Sequence, residues 1–256
     1  MAPGAPRTII VTGASRGIGA VTARRLARGG ANLVLAARSE PDLGDVAEEI
    51  TRDGGRALVV PTDTADLDQL AALVGHAVDE FGGIDVLVNN AGVLPPAHRS
   101  VEIDVEEWER VLRLNLTSPW RLANLCHPWM RAAGGGVVVN VTSSAGFYPS
   151  VGLAPYNASK AALAMLTKGL ALEWAGDGVR VVGVAPGKID TALIQPIVAF
   201  TERRGLRLNP IGRLGAADEV AALIEFVVSD DAGFMTGTVI TLDGGEVAAT
   251  GADAAR

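Results

Sequence analysis

The chain has 256 residues, of which 48% are hydrophobic and 20% are charged, and these proportions predict one large domain with a buried core. The net charge of −7 argues against a nucleic-acid binder, because no basic face would offset the phosphate charge. The single cysteine, Cys126, cannot form an internal disulfide, and neither a signal peptide nor an apolar run of about 20 residues is evident. We therefore expect a cytoplasmic protein with no membrane or nucleic-acid partner.

Short apolar runs rich in β-branched residues alternate with longer helical patterns along the chain. The apolar runs are continuous, as in strands that are buried on both faces of a parallel sheet. They predict seven strands, at residues 8–11, 32–36, 57–61, 85–89, 137–141, 180–184 and 238–242. The helical patterns cover residues 17–29, 41–53, 66–82, 105–133, 156–175 and 216–229. This order predicts an α/β fold of the Rossmann type, with a doubly wound, parallel, seven-stranded sheet and helices on both faces.

A single nucleotide-binding domain is expected over residues 7–245, with loosely ordered tails at 1–6 and 246–256. The stretch from 187 to 212 interrupts the alternation, because it is too long for a simple connection from a strand to the next helix. It carries six apolar residues, Ile189, Leu193, Ile194, Ile197, Val198 and Phe200. The position and composition predict a substrate lid, and one more surface helix is the alternative.

A glycine-rich turn follows the first strand and opens the first helix. Gly13, Gly17 and Gly19 permit a tight turn and let backbone N–H groups approach a pyrophosphate, which the helix N-terminus also favours. The spacing is Gly-x-x-x-Gly-x-Gly, and its place between strand and helix makes it more informative than a glycine-rich loop elsewhere. The turn, including Ser15, Arg16 and Ile18, is therefore predicted to bind a dinucleotide.

The residues after the second strand bear on the choice of dinucleotide. An NAD site would place an acid there to bind the ribose 2′-hydroxyl, but the sequence reads Ala37-Arg38-Ser39. Arg38, and Arg16 from the glycine turn, can pair with a 2′-phosphate through charge-assisted hydrogen bonds. We therefore predict NADP(H) in preference to NAD(H). Two solvated surface arginines are the alternative, and Glu40 keeps the NAD interpretation open.

Further cofactor contacts are expected where the third, fourth and sixth strands end. Asp63 is placed to accept from the adenine amino group, although it can also cap a helix, a role that Asp66 fits better. The small residues after the fourth strand allow the backbone to approach a ribose. The predicted contacts in these three regions are Asp63, Thr64, Asn90, Ala91, Gly92, Pro186, Gly187, Ile189 and Thr191.

Four residues can together catalyse hydride transfer to a carbonyl. A carbonyl that accepts hydride needs a proton donor at its oxygen, and Tyr156 is the candidate acid. Lys160 lies one helical turn later, where its charge would lower the pKa of the phenol. Ser143 can donate to the same oxygen, and the amide of Asn115 can hold a water that relays protons to Lys160. Each has an ordinary alternative. Tyr156 and Lys160 can be a chance pair on a helix, Ser143 can end a strand, and Asn115 can be a buried amide bonded to backbone.

The chain resembles the short-chain dehydrogenase/reductase family in its single-domain branch, and within it the 3-oxoacyl-carrier-protein reductases and related carbonyl reductases. The resemblance rests on residues 12–19 (Thr-Gly-x-x-x-Gly-x-Gly), on Asn-Asn-Ala-Gly at 89–92, and on Asn115, Ser143, Tyr156 and Lys160 in order and spacing. It implies that Tyr156 is the general acid/base, that Ser143 orients the carbonyl, and that Lys160 binds the nicotinamide ribose. It also implies a homotetramer or homodimer joined through the helices that carry Asn115 and Tyr156.

The expected reaction is NADPH-dependent reduction of a ketone to a secondary alcohol. An NAD-dependent alcohol or sugar dehydrogenase running oxidatively is the first alternative, and a non-catalytic nucleotide-binding protein is the second. Residues 132–136 lack the basic residues with which the fatty-acid enzymes dock a carrier protein. Lys188 stands where an apolar residue is usual and is expected to face solvent, with a contact to an acidic substrate as the alternative. An apolar pocket is predicted from Phe147, Val151 and Leu153.

Overall fold

Seven parallel strands form one sheet in the order β3-β2-β1-β4-β5-β6-β7. The structure is a computed structural model that describes residues 6–249 apart from Arg204 and Leu206, with the backbone alone for Pro196, Ile197, Phe200 and Glu202. The strands are β1 Thr8–Thr12, β2 Asn32–Ala37, β3 Arg56–Pro61, β4 Val86–Asn89, β5 Gly136–Val141, β6 Val179–Pro186 and β7 Val239–Leu242. Every predicted strand is present within two residues of its expected ends, and the predicted Rossmann-type fold is confirmed.

Helices cover both faces of this sheet. They are α1 Gly17–Arg28, α2 Glu40–Arg52, α3 Leu67–Phe81, α4 Val105–Leu112, α5 Ser118–Ala132, α6 Ala154–Trp174, α7 Gln195–Arg203 and α8 Ala217–Val228. Alternate residues of β1 enter the two cores: Ile9 packs with α1, α2 and α8, whereas Ile10 packs with α3, α5 and α6. Both layers are apolar and fully buried, which explains why the strand runs are continuously hydrophobic. Among the described residues, no helix is both long and apolar enough to cross a membrane.

The helix predicted over 105–133 is interrupted. A π-helical turn, Arg113–Thr117, separates α4 from α5. Pro119 has no backbone N–H, so the α-helical hydrogen bond to the carbonyl of Asn115 cannot form. In the same turn Ser118 Oγ donates to the carbonyl of Arg113 at 2.8 Å. The interruption therefore lies at one of the four residues predicted to be catalytic.

The segment predicted as a lid contains the short helix α7, and backbone hydrogen bonds join the two ends of the segment to each other. Asp190 N donates to the carbonyl of Gly215 at 2.8 Å, and Gly215 N donates to that of Lys188 at 2.9 Å. Of the predicted lid residues, the side chains of Ile197 and Phe200 lie outside the described part of the chain. The role of this segment as a substrate lid remains a prediction, as do the domain bounds at residues 7 and 245.

Candidate active site

A cleft of about 160 Å³ opens at the carboxyl ends of β4, β5 and β6. Such ends are where doubly wound sheets bind ligands, because the connecting loops diverge at the point where the strand order reverses. The cleft collects ten of the predicted site residues. Those that line it are Asn90, Gly92, Ser143, Tyr156, Lys160, Pro186, Gly187, Ile189 and Thr191, together with Ile18 from the glycine turn.

The glycine turn has the shape of a cradle for a diphosphate. Gly13 and Gly17 adopt positive φ angles of 65° and 57°, which favour glycine. A Cβ on Gly19 would collide with the backbone oxygen of Gly13, so the helix can approach the turn only without a side chain there. Arg16 caps α1 without a side-chain hydrogen bond, and the first turn of α1 contains no acid. The N–H groups at this helix end are thus free of a side-chain cap and suit an anion.

Thr12 and Asn90 hold the glycine turn against the end of β4. Asn90 Nδ2 donates to the carbonyl oxygens of Thr12 at 2.9 Å and Gly13 at 3.2 Å. The hydroxyl of Thr12 accepts from the backbone N–H groups of Asn90 and Ala91, each at 3.0 Å. Thr12 is a functional residue that the sequence reasoning did not single out, although it stands in the quoted motif. The pair fixes the cradle beside the cleft.

The predicted adenosine contacts lie at the opposite end of the crevice. Ala14 N donates to the carbonyl of Ala36 at 3.2 Å, so the glycine turn lies next to the end of β2, where Arg38 follows. Arg16 and Arg38 are both exposed, and neither forms an ion pair with any other described residue. Asp63 Oδ1 accepts from Ala65 N at 3.0 Å. Thr64 is buried and lines a small cavity with Thr12 and Ala91.

The helix-capping interpretation is settled in favour of Asp66. Its side chain accepts from the backbone N–H groups of Asp68 and Gln69 at the start of α3. These hydrogen bonds hold the pKa of the Asp66 carboxyl below its usual value. Asp63 is therefore not needed as the cap of α3, and its contact with a cofactor stays a prediction.

Tyr156 and Lys160 lie on the face of α6 that borders the cleft. Lys160 is 5% exposed and donates from Nζ to the carbonyl of Val141 at 2.9 Å. Its Nζ lies 5.9 Å from the centroid of the Tyr156 ring. Ser143, two residues beyond the end of β5, interacts with the phenol through its hydroxyl. Because Ser143 lies between β5 and α6, the fold brings the Tyr156 phenol, the serine hydroxyl and the Lys160 ammonium to one wall of the cleft.

The pKa values differ from the sequence-based expectation. Burial raises the pKa of the Tyr156 phenol, and the hydrogen bond with Ser143 only partly opposes this effect. Burial also lowers the pKa of Lys160 to about 8. The predicted lowering of the Tyr156 pKa by Lys160 is therefore not present in the chain alone, because loss of hydration dominates both groups. The phenol is held protonated, which is the form that donates a proton.

Asn115 is fully buried in the π-helical turn and does not face the cleft directly. Its Oδ1 accepts from Val93 N at 2.8 Å, and its Nδ2 donates to the carbonyl of Val93 at 2.9 Å and to Ser159 Oγ at 3.1 Å. The Ser159 hydroxyl in turn donates to the carbonyl of Tyr156 at 2.8 Å. Asn115 is thus a buried amide bonded to backbone, which was the alternative interpretation. The part of Asn115 in a proton relay to Lys160 remains a prediction.

Gly92 separates Asn115 from Lys160. A Cβ at Gly92 would lie 3.0 Å from Asn115 Oδ1 and 3.5 Å from Lys160 Nζ. A side chain here would have to displace the Asn115 amide slightly, so glycine suits the close packing. The predicted approach of a cofactor ribose at this position remains a prediction.

Lys188 does not face solvent, contrary to the expectation. Its side chain is 16% exposed, forms an ion pair with Glu246, and donates to the carbonyl of Leu208 at 2.8 Å. Glu246 lines the cleft, although it is the first residue of the predicted C-terminal tail. No local pattern indicates this pair, because the partners are 58 positions apart. Of the wider tails, residues 1–5 and 250–256 lie outside the described residues.

The apolar wall of the cleft also differs from the expectation. Leu153, Leu193 and Ile194 line it as expected, together with Val93, Leu94 and Tyr148, which the sequence reasoning did not name. Phe147 is 45% exposed and Val151 is completely exposed, and neither lines the cleft. Both residues lie in the loop between β5 and α6, where a hydrophobic residue carries no information about which way it points.

Residues 7–202 match the family model described as short chain dehydrogenase. The chain belongs to the short-chain dehydrogenase/reductase family. The family uses NAD(P)(H), so this protein is an NAD(P)-dependent oxidoreductase. A 3-oxoacyl-[acyl-carrier-protein] reductase of Thermotoga maritima is 35% identical over 241 residues, covering 94% of this chain and 98% of the relative, which confirms the narrower resemblance.

Other relatives in this dehydrogenase/reductase family act on ring alcohols by name. A cis-4-hydroxycyclohexanecarboxylate dehydrogenase of Sinomonas cyclohexanicum is 42% identical over 244 residues, covering 95% of this chain and 98% of the relative. A cyclohexanol dehydrogenase of Acinetobacter sp. (strain SE19) is 38% identical, with 93% and 94% covered. A solved structure of 7α-hydroxysteroid dehydrogenase with NADH and 7-oxo glycochenodeoxycholic acid is 33% identical, covers 94% of each chain and has a TM-score of 0.89.

Proposed function

We propose that this protein interconverts an alicyclic ketone and its secondary alcohol with NADP(H), and that it runs as a reductase. The carrying observation is the meeting of the Tyr156 phenol, the Ser143 hydroxyl and the Lys160 ammonium at one cleft beside the glycine turn. These groups match what a carbonyl needs as it becomes an alkoxide: a proton, a second hydrogen-bond donor, and a nearby positive charge.

A nicotinamide dinucleotide bound beside the glycine turn would supply the hydride. Tyr156 donates its phenolic proton to the substrate oxygen, and its raised pKa keeps that proton in place until charge develops there. Ser143 donates a hydrogen bond to the same oxygen and orients the carbonyl. Lys160, fixed by the carbonyl of Val141, stabilises the phenolate that Tyr156 becomes. Asn115 holds the Val93 backbone and, through Ser159, the start of α6.

Two observations support NADP(H). Arg38 is exposed directly after β2, and Ala37 stands where an NAD site would place its acid. Arg16 is also exposed, at the start of α1, and both arginines are free of ion pairs with the described residues. The NADH in the 7α-hydroxysteroid dehydrogenase complex is the observation on the other side, and it keeps an NAD-dependent, oxidative dehydrogenase as the second candidate.

The substrate class rests on the cleft and on the relatives. Leu94, Leu153, Leu193 and Ile194 give the cleft a mainly apolar wall that suits a saturated ring. Two relatives are named for substrates with a hydroxylated cyclohexane ring. Neither observation requires a carrier protein, and the residues before β5 offer no basic patch for one.

We also propose that the protein is a homotetramer or homodimer that assembles through α6 in the cytoplasm. The outer face of α6 carries a stripe of exposed residues at helical spacing, with Met165 65% exposed and Leu172 84% exposed. Ala158 and Ala161 continue this stripe and allow close approach of a second helix. Cys126 is free and buried, in keeping with a reducing compartment.

Titration of the purified protein with NADPH and with NADH tests the cofactor assignment. We expect tighter binding of NADPH, and loss of the difference in Arg38→Asp, because an acid repels the 2′-phosphate. Arg52→Asp makes the same change of charge at the far end of α2 and should keep the preference. Oxidation of NADPH by cyclohexanone then tests the reaction. Preference for NADH would move the oxidative dehydrogenase to first place, and binding of neither would favour a non-catalytic protein.

A further inference from the structure

An ion pair forms one wall of the cleft. Lys188 follows the end of β6, and Glu246 follows the end of β7, so the sheet brings together residues from distant parts of the chain. Their side chains are only 16% and 11% exposed. Glu246 is held on both carboxylate oxygens, because one accepts from Lys188 and the other from Ser144 Oγ at 3.3 Å. Ser144 is the neighbour of Ser143, which places the pair next to the reacting groups.

The charges on this wall leave no cation free for an acidic substrate. Among the described residues that line the cleft, the charged side chains are Lys160, Lys188 and Glu246. Lys160 lies beside Tyr156 and bonds to the carbonyl of Val141. Lys188 is neutralised by Glu246 and also lies in the field of Asp243. A carboxylate that entered next to Lys188 would therefore meet Glu246 at the same time.

We propose that Glu246 sets the selectivity of the cleft: by neutralising Lys188, it makes the cleft favour an uncharged ring alcohol or ketone over one that carries a carboxylate. The inference deepens the proposed function and rests on it for the ring substrate. It separates this protein from its cis-4-hydroxycyclohexanecarboxylate relative, whose named substrate is acidic. Without Glu246, Lys188 would favour a substrate that carries a carboxylate, so the ion pair determines which substrate is preferred.

Burial makes the pairing necessary. Loss of hydration lowers the pKa of Lys188, and a nearby negative charge is needed to keep the ammonium stable. In the wild-type protein Glu246, which pairs directly with the ammonium, supplies that charge together with Asp243, which acts on it without a direct contact. When Glu246 is replaced by its neutral isostere, a substrate carboxylate can take over the same role and gain a charge-assisted hydrogen bond.

The test measures binding at pH 7 by calorimetry, on protein saturated with the reduced form of the dinucleotide that it binds more tightly, with which an alcohol cannot react. The probes are cyclohexanol and cyclohexanecarboxylate. In the wild type we expect cyclohexanecarboxylate to bind about tenfold more weakly than cyclohexanol. In Glu246→Gln the affinity for cyclohexanecarboxylate should rise about tenfold, the value of one charge-assisted hydrogen bond. The double variant Lys188→Met with Glu246→Gln should lose this gain.

A matched control is Glu225→Gln, which removes the same charge from a surface ion pair between Glu225 on α8 and Arg25 on α1. It should leave the ratio of the two affinities unchanged. Tighter binding of the carboxylate by the wild type, or an unchanged ratio in Glu246→Gln, overturns the inference. Because binding needs no turnover, failure to reduce any ring ketone would count against the proposed reaction and leave this result readable. The wild-type ratio decides the matter if Glu246→Gln does not fold.

Discussion

Lys160 on α6 donates a hydrogen bond of 2.9 Å to the backbone carbonyl of Val141 at the end of β5. The contact fixes the ammonium next to Tyr156 while removing it almost completely from water. The charged lysine therefore costs stability, and its pKa falls to about 8 from the ordinary value of 10.5.

The first prediction concerns the pH dependence of stability. Between pH 8 and pH 10.5 the folded protein has lost the Lys160 proton, whereas the unfolded chain still holds it, so the free energy of unfolding rises with pH in this window. Relative to Lys160→Met, the wild type should gain about 3 kcal/mol over the window. Urea unfolding of both proteins at several pH values measures this difference. A difference that stays flat from pH 7 to pH 10.5 would contradict the assigned pKa.

The second prediction is that Tyr156→Phe lowers kcat/KM for ketone reduction about a hundredfold or more, because the substitution removes the proton donor. The ring still fills its place on α6, so the affinity for the dinucleotide should change by less than about twofold. Stopped-flow turnover and fluorescence titration separate the two effects. Retention of most of the activity would rule out the proposed acid.

The third prediction compares two glycines that differ in their surroundings. A methyl group on Gly19 would meet the backbone of Gly13, whereas one on Gly44 in α2 would meet nothing within 4 Å. Gly19→Ala should therefore abolish detectable dinucleotide binding. Gly44→Ala should keep it and stabilise the protein by about 0.5 to 1 kcal/mol. Calorimetric binding and thermal unfolding test both variants, and normal binding in Gly19→Ala would refute the cradle.

The fourth prediction concerns a buried chain of polar side chains beneath the cleft. Asn89 Nδ2 donates to Asn140 Oδ1, and Asn140 Nδ2 donates to Thr167 Oγ1, each at 3.0 Å. Asn140→Ala leaves an Asn89 N–H without its acceptor and removes the donor to the Thr167 oxygen, whose hydroxyl still donates to the carbonyl of Leu163. We expect a loss of about 2 kcal/mol or more. Asn124→Ala removes a surface hydrogen bond on α5 and should cost less than about 1 kcal/mol. Equal losses in the two variants would argue against the buried network.

The sequence was sufficient for the sheet because each strand is buried on both faces, and its signal is therefore local. The glycine turn and the spacing of Tyr156 and Lys160 are local as well. The interruption at Asn115 lies next to Pro119, and the hydrophobic periodicity on which the helix prediction rests does not register such a break. The pairing of Lys188 with Glu246 joins two loops after different strands, and no periodicity in either loop encodes it. The raised pKa of Tyr156 follows from burial, which depends on the packed structure.

The hydrogen bonds of Asn115 have a consequence for which amino acids this position accepts. Its amide meets the N–H and the C=O of Val93 together, as one peptide group meets another in a β-ladder. The side chain is a substitute for a missing stretch of neighbouring strand. Aspartate has the same shape but no donor for the Val93 carbonyl. Glutamine is one methylene longer, and Asn115 is completely buried. The loop after β4 is thus held in place by the one side chain that reproduces a peptide unit at this length.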